Sequence, residues 1–282
     1  MNDNLSIANE QAAAKAFNRQ AATFDQQFNG DTIIKYKRKR VREHVMQFLR
    51  PQSSILELNA GTGEDAIFFA ENGHTVHATD ISEGMQQQLS EKARQSGLQM
   101  RIGNEKCSFT ELDKLANTGP FDMVFSNFAG LNCTDQLSKV LASFDRLVKP
   151  GGYVTLVLLP KFCLWEFMLL FKGKCRAALR RFSGRRGSPA HIEGEQFRCW
   201  YYNPSFIHRQ LARNFEICSL EGLCVLVPPS YMQGFAEKYP RIYRTLVARE
   251  NSWKSTWPWK LIGDYYIITL KKNKPSKGGS DL

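Results

Sequence analysis

The chain has 282 residues, 43% of them hydrophobic and 23% charged, enough to bury a substantial core as one principal domain with additions. Seven cysteines, an odd number with no C-x-x-C pair, argue against a disulfide framework or a zinc site and predict reduced thiols with no metal. The net charge of +11 is uneven: residues 1–160 carry 17 basic and 18 acidic side chains, residues 161–282 carry 21 and 9, so the C-terminal part is the one suited to an anionic partner.

No apolar run reaches membrane-spanning length, and the polar start MNDNLSIANEQAAAKAF has the character of neither a signal nor a transit peptide. A cytoplasmic protein is expected. Residues 10–30 read as a helix. Ile33, Ile34, Val41, Val45, Phe48 and Leu49 then recur at helical spacing until Pro51, with the basic run KYKRKR as the other face. Next comes ILELNAGTGEDA, a strand over Ile55–Leu58, a glycine turn and a helix from Glu64 to Glu71. A strand over Thr75–Thr79 leads to Asp80, followed by a helix through Met85–Gln95 and a strand at Met100–Ile102. The fourth strand, FDMVFS, ends where Ser126, Asn127 and Phe128 would face a ligand, since open α/β sheets bind ligands at strand ends. A helix over Gln136–Leu147 and a turn of Pro150, Gly151 and Gly152 introduce a fifth, strongly β-prone strand. This strand-helix alternation implies parallel strands with helices on both faces.

After Pro160 the regularity breaks. Residues 162–186, apolar first and basic afterwards, read as an insertion. Strand-like Gln196–Tyr202, a helix over Pro204–Asn214 and strand-like Ile217–Val227 are consistent with a closing antiparallel pair; YYIITLKK and a low-complexity tail end the chain.

Glu57 sits near the end of the first strand, and Gly61 and Gly63 allow a tight turn that backbone and ligand can both approach. Asp80 follows 23 residues later at the tip of the second strand, where a carboxylate can accept both hydroxyls of a ribose lying over the first loop. Gly61, Gly63 and Ala66 satisfy the loose G-x-G-x-x-G/A pattern of dinucleotide binders. Glu64 and Asp65 would repel a pyrophosphate there while tolerating a sulfonium or ammonium, which favours S-adenosylmethionine (SAM) over NAD(P).

The wording of ILELNAGTGEDA resembles motif I of class I SAM-dependent methyltransferases, with Asn59 and Ala60 replacing the commoner glycine and cysteine, and the Pro-Gly-Gly turn is shared with many members. The resemblance spans roughly residues 20–160 and is closest to the small-molecule branch that includes quinone-type enzymes. It implies an α/β fold with a Rossmann-like seven-stranded sheet, N-terminal cap helices (1–50), a SAM-binding core (51–160), an insertion or lid (161–195), closing strands (196–272) and a disordered tail (273–282). By the same resemblance Glu57, Asn59, Ala60, Gly61 and Gly63 surround the methionine and sulfonium, Asp80 holds the ribose, and Ile81 and Met85 sandwich the adenine. Asn104 or Glu105 would meet the adenine amino group, Ser126 and Asn127 would face the cofactor, and Arg38 or Arg40 would bind the methionine carboxylate.

Methyl transfer is an in-line displacement, so alignment of acceptor and methyl carbon can carry catalysis, with a base needed only for a hydroxyl acceptor. His191, just before a predicted strand on the substrate side, is the candidate base; His44, His74, His77 and His208 read as structural. The fourth-strand corner SNFAG lacks the N-P-P-Y or D-P-P-Y of base and amide N-methylating enzymes, which leaves a hydroxyl or activated carbon of a small, lipophilic molecule. Two other readings stand beside it: an RNA methyltransferase using the basic C-terminal part with Trp200, Tyr201, Tyr202, Trp253, Trp257 and Trp259 for stacking, and a non-catalytic SAM-fold protein. Nucleic acid is the less favoured partner, for want of a recognised binding module. The 162–186 insertion pairs Phe162, Leu164, Trp165, Phe167, Met168, Leu169, Leu170 and Phe171 with Lys172, Lys174, Arg176, Arg180, Arg181, Arg185 and Arg186, and predicts a lid that also meets an anionic membrane surface.

Overall fold

The computed structural model describes residues 3–274. Two helices precede the sheet, α1 (Asp3–Phe28) and α2 (Thr32–Met46), and the Asp31 side chain between them caps α2 by accepting from Ile34 N at 2.8 Å. Then β1 (Ser54–Leu58), α3 (Glu64–Glu71), β2 (Thr75–Asp80), α4 (Glu83–Gln95), β3 (Ile102–Lys106), β4 (Phe121–Ser126), α5 (Leu137–Ala142), α6 (Phe144–Leu147) and β5 (Val148–Leu158) follow in order. The C-terminal part adds α7 (Leu164–Phe167), α8 (Cys175–Leu179), β6 (Ser188–Ile192), β7 (Glu195–Cys199), α9 (Pro204–Leu211), β8 (Phe215–Leu223), α10 (Phe235–Lys238), α11 (Pro240–Trp253) and β9 (Tyr265–Lys272).

Seven strands form one sheet in the order β3-β2-β1-β4-β5-β9-β8, the first five parallel, β9 antiparallel to β5 and β8 antiparallel to β9. Successive strand residues point to opposite faces, and both faces are dry: Leu56, Val124 and Leu156 pack with Leu137 and Phe144, while Ile55, Met123 and Val157 pack with Val41, Val45 and Phe69. The expected seven-stranded Rossmann-like sheet is therefore present. Among the described residues, no helix is long and apolar enough to cross a membrane.

Four local expectations are corrected. The third strand runs over Ile102–Lys106, beyond the Met100–Ile102 read from apolar residues, because an edge strand needs few of them: only Ile102 is buried. The strand-like Gln196–Tyr202 does not enter the sheet; β7 pairs with β6 in a separate hairpin whose Phe197 packs on Phe17 of α1, ring centroids 6.1 Å apart. The strand expected to reach Val227 ends at Leu223. Beyond it, Glu250 of α11 accepts the backbone N–H groups of Cys224, Val225, Leu226 and Val227 at 2.8 to 2.9 Å, so one buried carboxylate replaces the ladder. Nor is the basic face of α2 solvated throughout: Lys37 and Arg40 are buried, Arg40 on Glu221 at 3.0 Å.

The 162–186 segment departs from its reading in one respect. Arg181 is buried and binds Glu166 and Asp264, each at 2.6 Å, which ties the segment to the start of β9, and Arg180 joins it on Glu166 within the segment. Phe171, in contrast, is 86% exposed. Of the expected tail, residues 275–282 lie outside the described part.

Candidate active site

A cavity of about 290 Å³ opens along the C-terminal ends of the parallel strands, under α1 and α2. Strand order sets its plan. Ser108 and Phe109 follow β3, Asp80 and Ile81 end β2, Glu57 to Thr62 end β1, Asn127 and Phe128 end β4, and Tyr265 begins β9.

The turn after β1 is fixed by its neighbours. Asn59 sits in left-handed backbone (φ 48°), donates to Asn127 O at 3.0 Å and accepts from Ser126 Oγ at 2.6 Å. A Cβ at Gly130 would lie 2.3 Å from Asn59 Cγ, so only glycine permits that approach. Gly61 (φ 58°) donates its N–H to Asp80 Oδ2 at 2.9 Å, and Ser82 N donates to Asp80 Oδ1 at 2.8 Å. Burial pushes the Asp80 carboxyl up, against the pull of the Ser82, Gly61 and Ile81 N–H groups.

Glu57 is 3% exposed, and among the described residues its Oε2 has no hydrogen-bond partner. Burial above all, then the nearby Asp65, pushes its carboxyl well above the usual range, with Arg42 and Arg38 opposing. The acids after the turn are neutralised: Glu64 by Lys92 at 2.7 Å and Arg38 at 3.6 Å, Asp65 by Arg42 at 2.7 Å. The repulsion expected of Glu64 and Asp65 toward phosphate is accordingly muted, and among the described acids lining the cavity it is Glu57 that keeps a buried oxygen without a hydrogen bond. An orphaned buried carboxylate oxygen beside a glycine turn with open space around Gly61 fits a ligand that presents an ammonium.

Helix α1 is fastened across the opening by polar side chains. Glu10 accepts from the hydroxyls of Ser108, Thr110 and Thr134 at 2.7, 2.9 and 3.0 Å. Asn18 accepts from Gly84 N at 2.6 Å, and Asp25 accepts from Thr62 Oγ1 at 2.7 Å and pairs with Lys92 at 2.5 Å. Its inner face brings Phe17, Phe24 and Phe28 to the cavity, joined by Ile34, Lys37 and Arg38 of α2.

Of the residues expected from the sequence, Arg38, Glu57, Asn59, Ala60, Gly61, Asp80, Ile81, Met85 and Asn127 line this cavity. Ser126 is fully buried behind it and positions Asn59. Gly63 lies outside the lining; a Cβ there would meet Leu89 Cγ at 2.6 Å, so its role is the close packing of α3 on α4. Asn104 and Glu105 are corrected, because β3 extends past them: Asn104 bonds Ser90 Oγ at 2.8 Å, Glu105 bonds His77 Nε2 at 2.9 Å, and Ser108 and Phe109 take the strand-end position. Arg40 is corrected as a carboxylate ligand by its pairing with Glu221. His191 is also corrected: it is exposed on β6, paired in register with Gln196, and is not among the cavity residues. The aromatic contribution of α1 was legible, since Phe17, Phe24 and Phe28 share a helical face. Lys37, Ser230 and Tyr265 carried no such signal.

A methyltransferase-domain family model matches residues 55–152. Residues 55–152 are thus a methyltransferase domain. The chain is 30% identical over 167 residues to a malonyl-[acyl-carrier protein] O-methyltransferase of Pseudescherichia vulneris, covering 57% of this chain and 59% of that one. It is 32% identical over 120 residues to a demethylmenaquinone methyltransferase of Bacteroides fragilis, covering 41% and 48%. The match to a hybrid PKS-NRPS synthetase of Thermothelomyces thermophilus covers 4% of that protein, so the chain spans less than two thirds of these curated relatives. In fold it is similar to the 1,6-didemethyltoxoflavin-N1-methyltransferase of Burkholderia thailandensis, crystallised with S-adenosylhomocysteine: TM-score 0.57 at 15% identity, over 95% of this chain and 91% of that one.

Proposed function

We propose that the protein transfers a methyl group from SAM to a hydroxyl oxygen or an activated carbon of a small, largely apolar molecule. The observation that carries the cofactor half is the unpaired Glu57 carboxylate oxygen, buried beside the Gly61 turn that Asp80 holds. Glu57 would receive the cofactor's ammonium, Asp80 the ribose hydroxyls, Ile81, Met85 and Phe109 the adenine, and Arg38, which lines the same cavity, the methionine carboxylate. Bound SAM supplies an electrophilic methyl carbon. The chain's own part is to hold the acceptor in line with that carbon and to exclude water, which suffices for displacement without a protein nucleophile.

The acceptor side rests on Phe17, Phe24, Phe28, Ile34 and Phe128, an apolar wall that favours a lipophilic molecule. No histidine lines the cavity among the described residues, which removes the candidate base and favours positioning as the catalytic device. The RNA alternative loses half of its stacking surface, because Trp200, Tyr201 and Tyr202 are buried, while Trp253 and Trp257 are exposed. The exposed Phe171, Leu179 and Phe182, among exposed Lys172, Lys174, Arg176, Arg185 and Arg186, support contact of the insertion with an anionic membrane surface.

The deciding experiment incubates the protein and methyl-labelled SAM with a cell extract and follows label by mass spectrometry. A labelled small molecule that requires the protein is the expected result. Label confined to RNA, or none with SAM unbound in a calorimetric titration, rejects the proposal.

A further inference from the structure

Lys37 breaks the pattern of the other cations around the cavity. Arg38, Arg40, Arg42 and Lys92 each have a carboxylate within ion-pair distance. Lys37 is 3% exposed, and its partners among the described residues are Ser230 Oγ at 3.1 Å and the rings of Tyr265 and Phe128, with centroids 4.9 and 5.5 Å from Nζ. An ammonium has three N–H donors, and here one meets an oxygen of the protein. Two ring faces stabilise the charge but accept poorly, so the remaining donors are left for a ligand. Burial works against the charge, yet Tyr265, Cys224, Asp264 and Asp31 outweigh it and hold the amine above its ordinary range. A charged amine has no lone pair, which excludes Lys37 as a base and leaves it as a binding group.

Its place in the sheet says which ligand. The cofactor half of the cavity lies over β1, β2 and β3, where Glu57, Asp80 and Ser108 stand. Lys37 shares the Phe128 ring after β4 with Arg38 but lies closer to Tyr265 at the start of β9, and β9 is three strand positions from β1, about 14 Å at the usual strand spacing. The same cavity is lined by Phe24, Phe28 and Ile34, which offer no charge. We propose that Lys37, with Ser230, is the receptor for an acidic oxygen group, a carboxylate or phenolate, on the methyl acceptor. The acceptor is thereby an amphiphile: an apolar body against the phenylalanines of α1 and an anionic group that anchors it in register with the methyl carbon. This inference rests on the methyltransferase reading.

The test saturates the full chain with S-adenosylhomocysteine and titrates in a panel of carboxylates, from benzoate and phenylacetate to dodecanoate, each beside its primary amide. Carboxylates are expected to bind in preference to their amides. Lys37→Met should weaken the bound carboxylates about tenfold or more, as loss of a charged hydrogen bond requires, with Lys37→Arg retaining most of the preference. Lys37→Met should also leave S-adenosylhomocysteine affinity unchanged, since Lys37 stands apart from the groups assigned to the cofactor. S-adenosylhomocysteine binding without any carboxylate preference, or a preference that survives Lys37→Met, overturns the assignment of Lys37 and leaves the cofactor reading intact. Failure of S-adenosylhomocysteine to bind the unaltered protein defeats both.

Discussion

The backbone N–H of Gly61 donates to Asp80 Oδ2 at 2.9 Å, so the turn after β1 and the tip of β2 form one rigid unit. The other carboxylate oxygen is held by Ser82 N, which fixes the plane of the group before any ligand arrives. A ribose over this turn would meet an acceptor already oriented, with little ordering cost on binding.

Removing that acceptor should cost affinity without unfolding the chain. Asp80→Ala is expected to weaken SAM binding by about 1–3 kcal/mol, the range for a charged hydrogen bond to a buried partner, and to loosen the Gly61 turn. Gly61→Val should be worse, because φ of 58° disfavours a branched side chain. Isothermal titration with SAM and S-adenosylhomocysteine measures both; an Asp80→Ala protein that binds as tightly as the parent contradicts the ribose role.

Glu57 predicts a pH dependence of definite sign. Its folded pKa is raised by burial, so as pH climbs above the ordinary carboxyl range the unfolded chain releases its proton first and the free fold loses stability. An ammonium ligand favours the carboxylate, so its binding expels the Glu57 proton, and affinity should rise with pH until the free protein has itself titrated. Calorimetry in buffers of different ionisation enthalpy should register proton release on SAM binding. Glu57→Gln should bind more weakly and release no proton; an unchanged release would place the proton elsewhere.

Glu10 should control how firmly α1 closes the site. Its carboxylate accepts three hydroxyls from the loops after β3 and β4, and Glu10→Ala leaves buried Ser108, Thr110 and Thr134 without that acceptor. We expect a loss of about 1–3 kcal/mol in stability and faster amide exchange in residues 5–28. Hydrogen exchange read by mass spectrometry resolves the effect, and unaltered protection of α1 would count against its being pinned there.

Membrane contact should depend on the exposed apolar tip and not on Arg180 and Arg181, which are both engaged with Glu166, Arg181 from a buried position and Arg180 from a half-exposed one. Phe171→Ser together with Lys172→Glu and Lys174→Glu should abolish co-sedimentation with anionic vesicles while leaving the melting temperature within a degree or so, since these side chains are exposed. Binding of the parent protein to neutral and anionic vesicles alike, or to neither at low salt, rejects an anionic membrane partner.

The local parts of this architecture were legible in the sequence because their causes are local. Periodic apolar residues gave β1, β2, β4 and β5, glycines at 61 and 63 gave the turn, and Asp80 followed from the spacing of two parallel strands. What depended on distant segments was not legible. The end of β3 was misjudged because its residues Gly103 to Lys106 are mostly exposed, and the strand exists through its pairing with β2. The Glu250 carboxylate that stands in for the β8 ladder acts across 23 to 26 residues of chain. His191 looked well placed by order along the chain, yet hairpin pairing with β7 turned it to solvent. Arg38, Lys37 and Arg40 are near neighbours in one basic run, and burial on a helix packed between the cavity and β8 gave them three different surroundings: Glu64, an unmatched pocket, and Glu221. Sequence determined which groups were available; tertiary packing decided which of them were left unpaired, because a buried charge is paired or free only by what the rest of the chain brings to it.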